Sequence, residues 1–299
     1  MKKQLLIAGG SGMIGTALSE EALRLDWDVT ILSRYPGKDK IVWDPASGSI
    51  ELEGQMNFDA IVNLAGANIS EKRWTEKRKK EIYQSRINAC ATIEKYLTKG
   101  QLTTPFYLGV SGSGIHGNNG SKIINEETKI DDQDNWYIKT CIDWESAHRK
   151  METLDIRTVI LRLGIVLSRK GGALKEILST PGFPVLSFFG SGKQVWPWIH
   201  LSDVARMIFF CILNSQVTGL FLGASPAPVT NKNFTRTINQ YISPKRIVVG
   251  VPKFMVSIIL GEMHRVVFDS CNASSEKIQR AGFEFNFPDI EAALRNLLK

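Results

Sequence analysis

Short apolar runs alternate with polar breaks and with apolar residues at helical spacing through the first half of the chain. Residues 4–8 (QLLIA) are almost wholly apolar and stop at glycine, the pattern of a short strand buried on both faces. Residues 14–25 then place Ile14, Leu18, Ala22 and Leu25 on one helical stripe. Further strands are predicted at 29–32, 60–64, 106–110 and 159–163, with charged helical segments between them. Strand, helix, strand at this pitch means parallel pairing through crossover helices, so the expected fold class is α/β, with a doubly wound parallel sheet.

After about residue 165 the texture changes. Residues 171–199 are rich in Gly, Pro and Trp, without a long periodic segment. Residues 201–213 return to a helix and 219–222 to a strand. An amphipathic helix follows from Asn231, a basic strand near 246–249, and helices to the end. The expected division is a first α/β domain at 1–165, rejoined by elements near 200–223, and a smaller mixed α/β C-terminal domain at 166–299.

Composition narrows the class. The chain has 299 residues and is 43% hydrophobic, ordinary globular usage. The net charge of +7 suits a phosphorylated ligand but is too dispersed for nucleic acid. The densest basic run, 72–80, is interleaved with Glu71, Glu76 and Glu81 and is expected to be a solvated helical face. Cys90, Cys141, Cys211 and Cys271 have no disulfide or metal-ligand spacing, so no metal site is expected. The apolar stretch 204–213 is interrupted by Arg206 and is too short to cross a bilayer. Met1-Lys2-Lys3 before an apolar run has the beginnings of a signal peptide, which Gly9, Gly10, Gly12 and Gly15 cut short. The expectation is a cytoplasmic protein with a small-molecule partner, and no nucleic-acid or membrane partner; the oligomeric state is left open.

The glycines carry the first chemistry. In Gly9-Gly10-Ser11-Gly12-Met13-Ile14-Gly15, three glycines recur at three-residue spacing between the first strand and the first helix. That context lets a backbone turn tightly and approach a pyrophosphate, which sits on the helix's first amides. An NAD site places Asp or Glu at the end of the second strand, for the ribose hydroxyls. Here that strand ends in Ser33-Arg34, a pair suited to a 2′-phosphate, so NADP is the expected cofactor. Asn63 and then Leu64-Ala65-Gly66 close the strand at 60–64, where small residues admit the adenosine half.

These residues resemble the extended short-chain dehydrogenase/reductase superfamily, of the nucleotide-sugar epimerase type with a Rossmann fold. The resemblance rests on Gly9-x-x-Gly12-x-x-Gly15, Asn63-Leu64-Ala65-Gly66, Arg162-Leu163-Gly164-Ile165-Val166 and Trp198-Ile199-His200-Leu201-Ser202-Asp203. A narrower "epimerase family" subgroup, with a C-terminal domain of unknown function, is matched by Arg73-Trp74-Thr75, Ser85-Arg86, Asp143-Trp144-Glu145, Leu260-Gly261-Glu262 and Phe287-Pro288-Asp289. The match covers essentially the whole chain. It implies that Glu81 and Arg86 approach the cofactor and that Ile165 and Val166 lie on its nicotinamide side.

The chain departs from the superfamily at its chemistry. Tyr-x-x-x-Lys, in which a lysine lowers a tyrosine's pKa for proton exchange, is absent; Cys141 and Glu145 occupy those positions, one helical turn apart. Glu145 is expected to be the wetter of the two. The superfamily serine falls at Ser111, with Ser113 as second choice, and His116 is a further proton-carrier candidate near neutral pH. Trp196, Trp198 and His200 offer either a stacking platform or packing between domains, and Ser202 or Asp203 is expected to cap a helix starting at Val204. Two functions follow: an NADP-dependent oxidoreductase or epimerase acting on a small hydroxyl- or carbonyl-bearing substrate, or an NADP-binding sensor that has lost the chemistry.

Overall fold

The computed structural model describes residues 2–132, 135–179 and 184–299. Its principal sheet has eight strands, numbered here along the chain: β1 Lys3–Ala8, β2 Trp27–Ser33, β3 Lys40–Asp44, β4 Ser49–Ile50, β5 Ala60–Asn63, β6 Phe106–Gly112, β7 Arg157–Leu163 and β8 Gly219–Gly223. Their spatial order is β8-β7-β6-β5-β1-β2-β3-β4. The chain runs outward from β1 through β2 to β4, then returns to β5 on the other side of β1. That reversal puts a crevice at the carboxyl ends of β1 and β5, where ligands of open α/β sheets bind. β1 pairs in parallel with β2 and β5, and β5 with β6, in registers that set Ala8 against both Leu32 and Asn63. The segments that leave these three strands therefore start at one edge of the sheet.

The helices are α1 Met13–Arg24, α2 Glu76–Thr98, α3 Trp136–Arg149, α4 Gly172–Leu178, α5 Leu201–Leu213 and α6 Asn231–Tyr241, followed by shorter helices to α10 Ile290–Leu298. Every strand and helix anticipated up to residue 222 is present within a residue or two of its predicted ends. β3 and β4 were not anticipated. Lys-Ile-Val-Trp-Asp turns back at Gly48, whose φ of +69° suits a residue without a side chain. The resulting antiparallel pair gives the sheet an extra edge.

The chain divides into two compact units. The first is Met1–Ser111, Lys139–Leu161 and Val204–Leu220; the second is Gly112–Ile138, Arg162–Asp203 and Phe221–Lys299. The first packs Leu6, Leu32, Ile61, Tyr107, Ile93 and Met151 into one core. The second packs Leu167, Leu186, Trp196, Trp198, Phe234 and Leu294 into another. All four cysteines are buried, and none is in a disulfide. Among the described residues no helix is long and apolar enough to cross a membrane, and no cluster of His, Cys, Asp and Glu is suited to a metal.

Three sequence expectations are corrected here. The basic run is a solvated face only in part: Lys72, Arg73, Lys77 and Lys80 are exposed, but Arg78 and Lys79 are buried. α2 begins only at Glu76, capped by Thr75, and Arg78 is 4% exposed because its guanidinium bonds Glu71 (3.0 Å), Glu81 (2.7 Å) and the Asn68 carbonyl (2.5 Å). Trp196 and Trp198 are core of the second unit, each indole N–H donating to a carbonyl, of Val267 and Ala227 respectively, so they form no stacking platform. Asp203 lies inside the first turn of α5 and holds the amides of Asn286 and Phe287 at 2.9 and 3.0 Å. The cap comes from the His200 side chain, whose Nδ1 accepts from the Ser202 amide at 3.1 Å.

Candidate functional site

The glycine turn sits at the carboxyl end of β1. Gly12 is the N-cap of α1 and brings no side chain to satisfy the helix's first amides, which leaves them available to an anion. Its own amide donates to the Gly9 carbonyl at 3.1 Å, closing the turn. Gly9 has φ +81°, and a Cβ there would stand 2.9 Å from the Leu64 carbonyl carbon. The loop after β5 thus lies directly against the turn. At Gly12, by contrast, a Cβ would meet only the Gly9 oxygen, at 3.3 Å, and both Ser11 and Gly12 are exposed. The open glycine of the turn is the one an incoming pyrophosphate must approach.

The loop after β5 is tied from two helices. Ser85 on α2 accepts from the Ala67 amide at 2.9 Å, and Arg86 donates to the Ala67 carbonyl at 3.1 Å. The Arg86 guanidinium lies 4.7 Å over the Trp144 ring of α3. Glu81 is exposed and paired to Arg78. Of the two α2 residues brought in by resemblance, only Arg86 therefore touches the loop.

At the end of β2, Ser33 Oγ accepts from the Tyr35 amide at 3.1 Å, and Arg34 is exposed. A hollow of about 240 Å³ beyond that strand is lined by Arg34 and Tyr35, and also by Asp44 and Glu51. The two carboxylates, from β3 and just past β4, were not foreseen because those strands were not. Hydrogen bonds from Ser47 and Ala46 hold the Asp44 carboxyl below the usual carboxylate range, so it is ionised.

Ser111, near the carboxyl end of β6, is 4% exposed, and among the described residues its Oγ has no hydrogen-bond partner. Buried hydroxyls are almost always bonded. Cys141 and Glu145 lie one turn apart on α3, as expected, but both are 4% exposed, so Glu145 is not the wetter of the pair. Arg149 stands 3.9 Å from the Glu145 carboxylate.

In the second unit, Arg162 donates to His116 Nε2 at 3.0 Å, so the proton of the neutral ring is on Nδ1, which has no partner. Burial, together with the Arg162 charge, pushes His116 down to about 4. The near-neutral exchange anticipated for it is therefore absent. Gly114 leaves room for the Tyr137 hydroxyl, which a Cβ would meet at 2.7 Å. Ile165 and Val166, half-buried, pair with Trp198 and Ile199. A polar cavity of about 440 Å³ in this unit is lined by His116, Asp131, Asp132, Lys253, Arg265 and Asp269, among others.

Sequence reasoning singled out Asn63 only as part of a motif and missed the buried group it forms with Tyr107 and His148, all three essentially unexposed. The Tyr107 hydroxyl lies 2.7 Å from His148 Nδ1, and Asn63 Nδ2 donates to Tyr107 Oη at 3.1 Å. The available signal was a polar residue in each of two neighbouring, largely apolar strands, two register positions apart.

Comparison with known proteins covers the whole chain. The profile described as NAD dependent epimerase/dehydratase family matches residues 5–219, and a domain of unknown function (DUF1731) matches 251–297. The human epimerase family protein SDR39U1 is 29% identical over 298 residues, with 99% of each chain covered. An epimerase family protein of Staphylococcus aureus (strain NCTC 8325) is 31% identical over 303 residues, again with 99% of each covered. The crystal structure of human SDR39U1 (isoform 2) with NADPH superposes with a TM-score of 0.87 at 28% identity, covering 99% of both chains. MoeE5, solved in complex with UDP-glucuronic acid and NAD, shares the fold at a TM-score of 0.76 and 16% identity, covering 99% of this chain and 97% of its own.

Proposed function

The chain belongs to the NAD dependent epimerase/dehydratase family, and from that premise we propose an NADP-dependent oxidoreductase or epimerase acting on a small hydroxyl- or carbonyl-bearing substrate. The first unit fits the dinucleotide. The uncapped amides behind Gly12 receive the pyrophosphate, with Gly9, Gly10 and Gly15 packed beneath and Ser11, Met13 and Ile14 bordering it. Ser33 and Arg34 take the 2′-phosphate, and Leu64, Ala65 and Gly66 receive the adenosine half, with Arg86 bracing that loop. Ile165 and Val166 serve the nicotinamide side. When bound, the nicotinamide supplies or accepts the hydride.

The observation that carries the enzymatic reading is the buried, unpartnered Ser111 hydroxyl, at the sheet edge where the glycine turn also begins. An orphaned donor there is suited to polarising a substrate oxygen. The polar cavity of the second unit, with both carboxylates and cations, suits a hydroxylated substrate. With His116 pushed down to about 4, Cys141 or water remains as the proton carrier, with Glu145 beside Cys141.

A second reading, a cofactor-binding sensor, is favoured by one specific finding: Cys141 and Glu145 are both sealed in α3, and His116 titrates far below neutrality. Titrating NADPH and NADH calorimetrically, then following NADPH absorbance against a panel of sugar and keto substrates, separates the two. Turnover that falls at least tenfold in Ser111→Ala supports the enzyme. Tight NADPH binding with no turnover across the panel supports the sensor, and loss of NADPH binding in the folded wild type removes both.

A further inference from the structure

The buried Asn63, Tyr107 and His148 side chains form a chain with a backbone group at each end. At one end the Val110 carbonyl lies 3.2 Å from His148 Nε2. A carbonyl only accepts, so Nε2 carries the proton and Nδ1 is the bare acceptor. The Tyr107 hydroxyl, at 2.7 Å, must donate to it. Tyr107 Oη is then an acceptor for Asn63 Nδ2, at 3.1 Å. The Asn63 amide is thereby fixed with Oδ1 toward the Ala65 amide, 3.1 Å away. Because an amide at one end can only donate and a carbonyl at the other can only accept, every rotor and tautomer between them has one setting.

That setting ends on the loop that packs against the glycine turn, since the Leu64 and Ala65 backbone comes within about 3 Å of where a Gly9 Cβ would be. We propose that His148 is a positioning residue for the dinucleotide: through Tyr107 and Asn63 it sets the backbone of Leu64–Gly66. The inference rests on the cofactor reading above.

Two further observations agree. Gly109 on β6 has no room for a side chain, because a Cβ would stand 2.3 Å from His148 Nδ1, so the strand is cut away for the ring. The Trp144 ring, 5.5 Å from His148, carries Arg86 over it, and Arg86 holds Ala67 in the same loop. Burial also pushes His148 down to about 3, which keeps the ring neutral and the polarity of the chain constant.

The test compares variants that break the chain with one that only loosens the core. Tyr107→Phe removes the central hydroxyl, and Gly109→Ala displaces the ring without removing a polar atom. Ile93→Val opens a small cavity in the same core. For each, urea unfolding and the Kd for NADPH are measured, and the Ala65 amide resonance is followed by NMR. Loss of one buried hydrogen-bond partner corresponds to roughly tenfold in Kd. Tyr107→Phe and Gly109→Ala should each raise Kd by about that factor and shift the Ala65 amide, while Ile93→Val lowers stability and leaves both unchanged. His148→Gln, which keeps a donor and an acceptor, should recover more affinity than His148→Leu. Equal Kd changes in Ile93→Val and Tyr107→Phe, or an unmoved Kd in Tyr107→Phe, would overturn the proposal. Should Gly109→Ala fail to fold, the Tyr107 and His148 variants decide it. Wild type that fails to bind NADPH instead overturns the cofactor reading.

Discussion

On the proposed reading, cofactor choice turns on Arg34. It stands at the end of β2 where an acid would mark NAD, yet Asp44 and Glu51 line the same hollow. A phosphate held there gains from Arg34 and loses from the ionised Asp44. Removing a charge-assisted pair costs about 1.5–3 kcal/mol, so Arg34→Ala should weaken NADPH roughly ten- to hundredfold and leave NADH nearly unchanged. Calorimetry that finds equal losses for both cofactors assigns Arg34 elsewhere. Asp44→Asn should move NADPH affinity the opposite way, tightening it by up to about fivefold, given screening near a surface. Cys141 is sealed in α3, so Cys141→Ala should leave NADPH affinity within about twofold; a collapse would mean that the thiol braces the cofactor site. The glycine turn was legible because it answers a local requirement of turn and space, and the exposed place of Arg34 after β2 followed from the strand before it. The grouping of Asn63 with Tyr107 and His148 was not legible, because what unites them is spatial: two neighbouring parallel strands and a helix packed against them.

At the scale of elements, the short parallel strands were plain from their apolar runs, and the helices from their stripes. β3 and β4 escaped because the exposed edge of a sheet needs no continuous apolar run. Arg78 escaped because charge patterning marks pairs on a helix face and is silent on whether a preceding loop folds back over them. The end of α5 depended on a residue distant in sequence. Arg157, at the start of β7, donates to the carbonyls of Cys211 (2.9 Å), Ile212 (2.8 Å) and Val217 (2.8 Å), with its guanidinium 4.1 Å over the Phe106 ring. The first two are carbonyls that a helix end leaves without intrahelical partners, and the third belongs to the turn that follows. Arg157→Met should keep the aliphatic packing and strand those acceptors, lowering stability by about 3 kcal/mol. Urea unfolding followed by circular dichroism measures this, and a loss below about 1 kcal/mol would show that the helix end is satisfied otherwise.

For the whole molecule, the buried histidines set an acid limit. His148 is held down to about 3 and His116 to about 4, against the usual 6.5, each chiefly by burial. Between those values and 6.5 the unfolded chain binds protons that the folded chain refuses. The stability they contribute is therefore complete above pH 6.5 and is lost as the pH falls toward 4. For His148 the slope approaches about 1.4 kcal/mol per pH unit in that window, and His116 acts in the same direction. Urea midpoints at pH 7.0 and 5.0 should differ markedly in the wild type and less in His148→Gln; equal differences would mean that the ring is already charged. The division into two units was only partly readable, because a linear reading looks for one boundary.

The chain in fact passes between the two units five times, at 111/112, 138/139, 161/162, 203/204 and 220/221. No single cut separates them. Cleavage at 220/221 leaves the first unit whole but still carrying two pieces of the second, without the Phe234, Ala293 and Leu294 that complete the second core. The two halves are therefore not modules that a gene can exchange or a protease can release. A truncation ending just before the DUF1731 match at 251–297 would not yield a minimal dinucleotide binder but a chain with an opened core, and the two parts must be inherited, expressed and lost together.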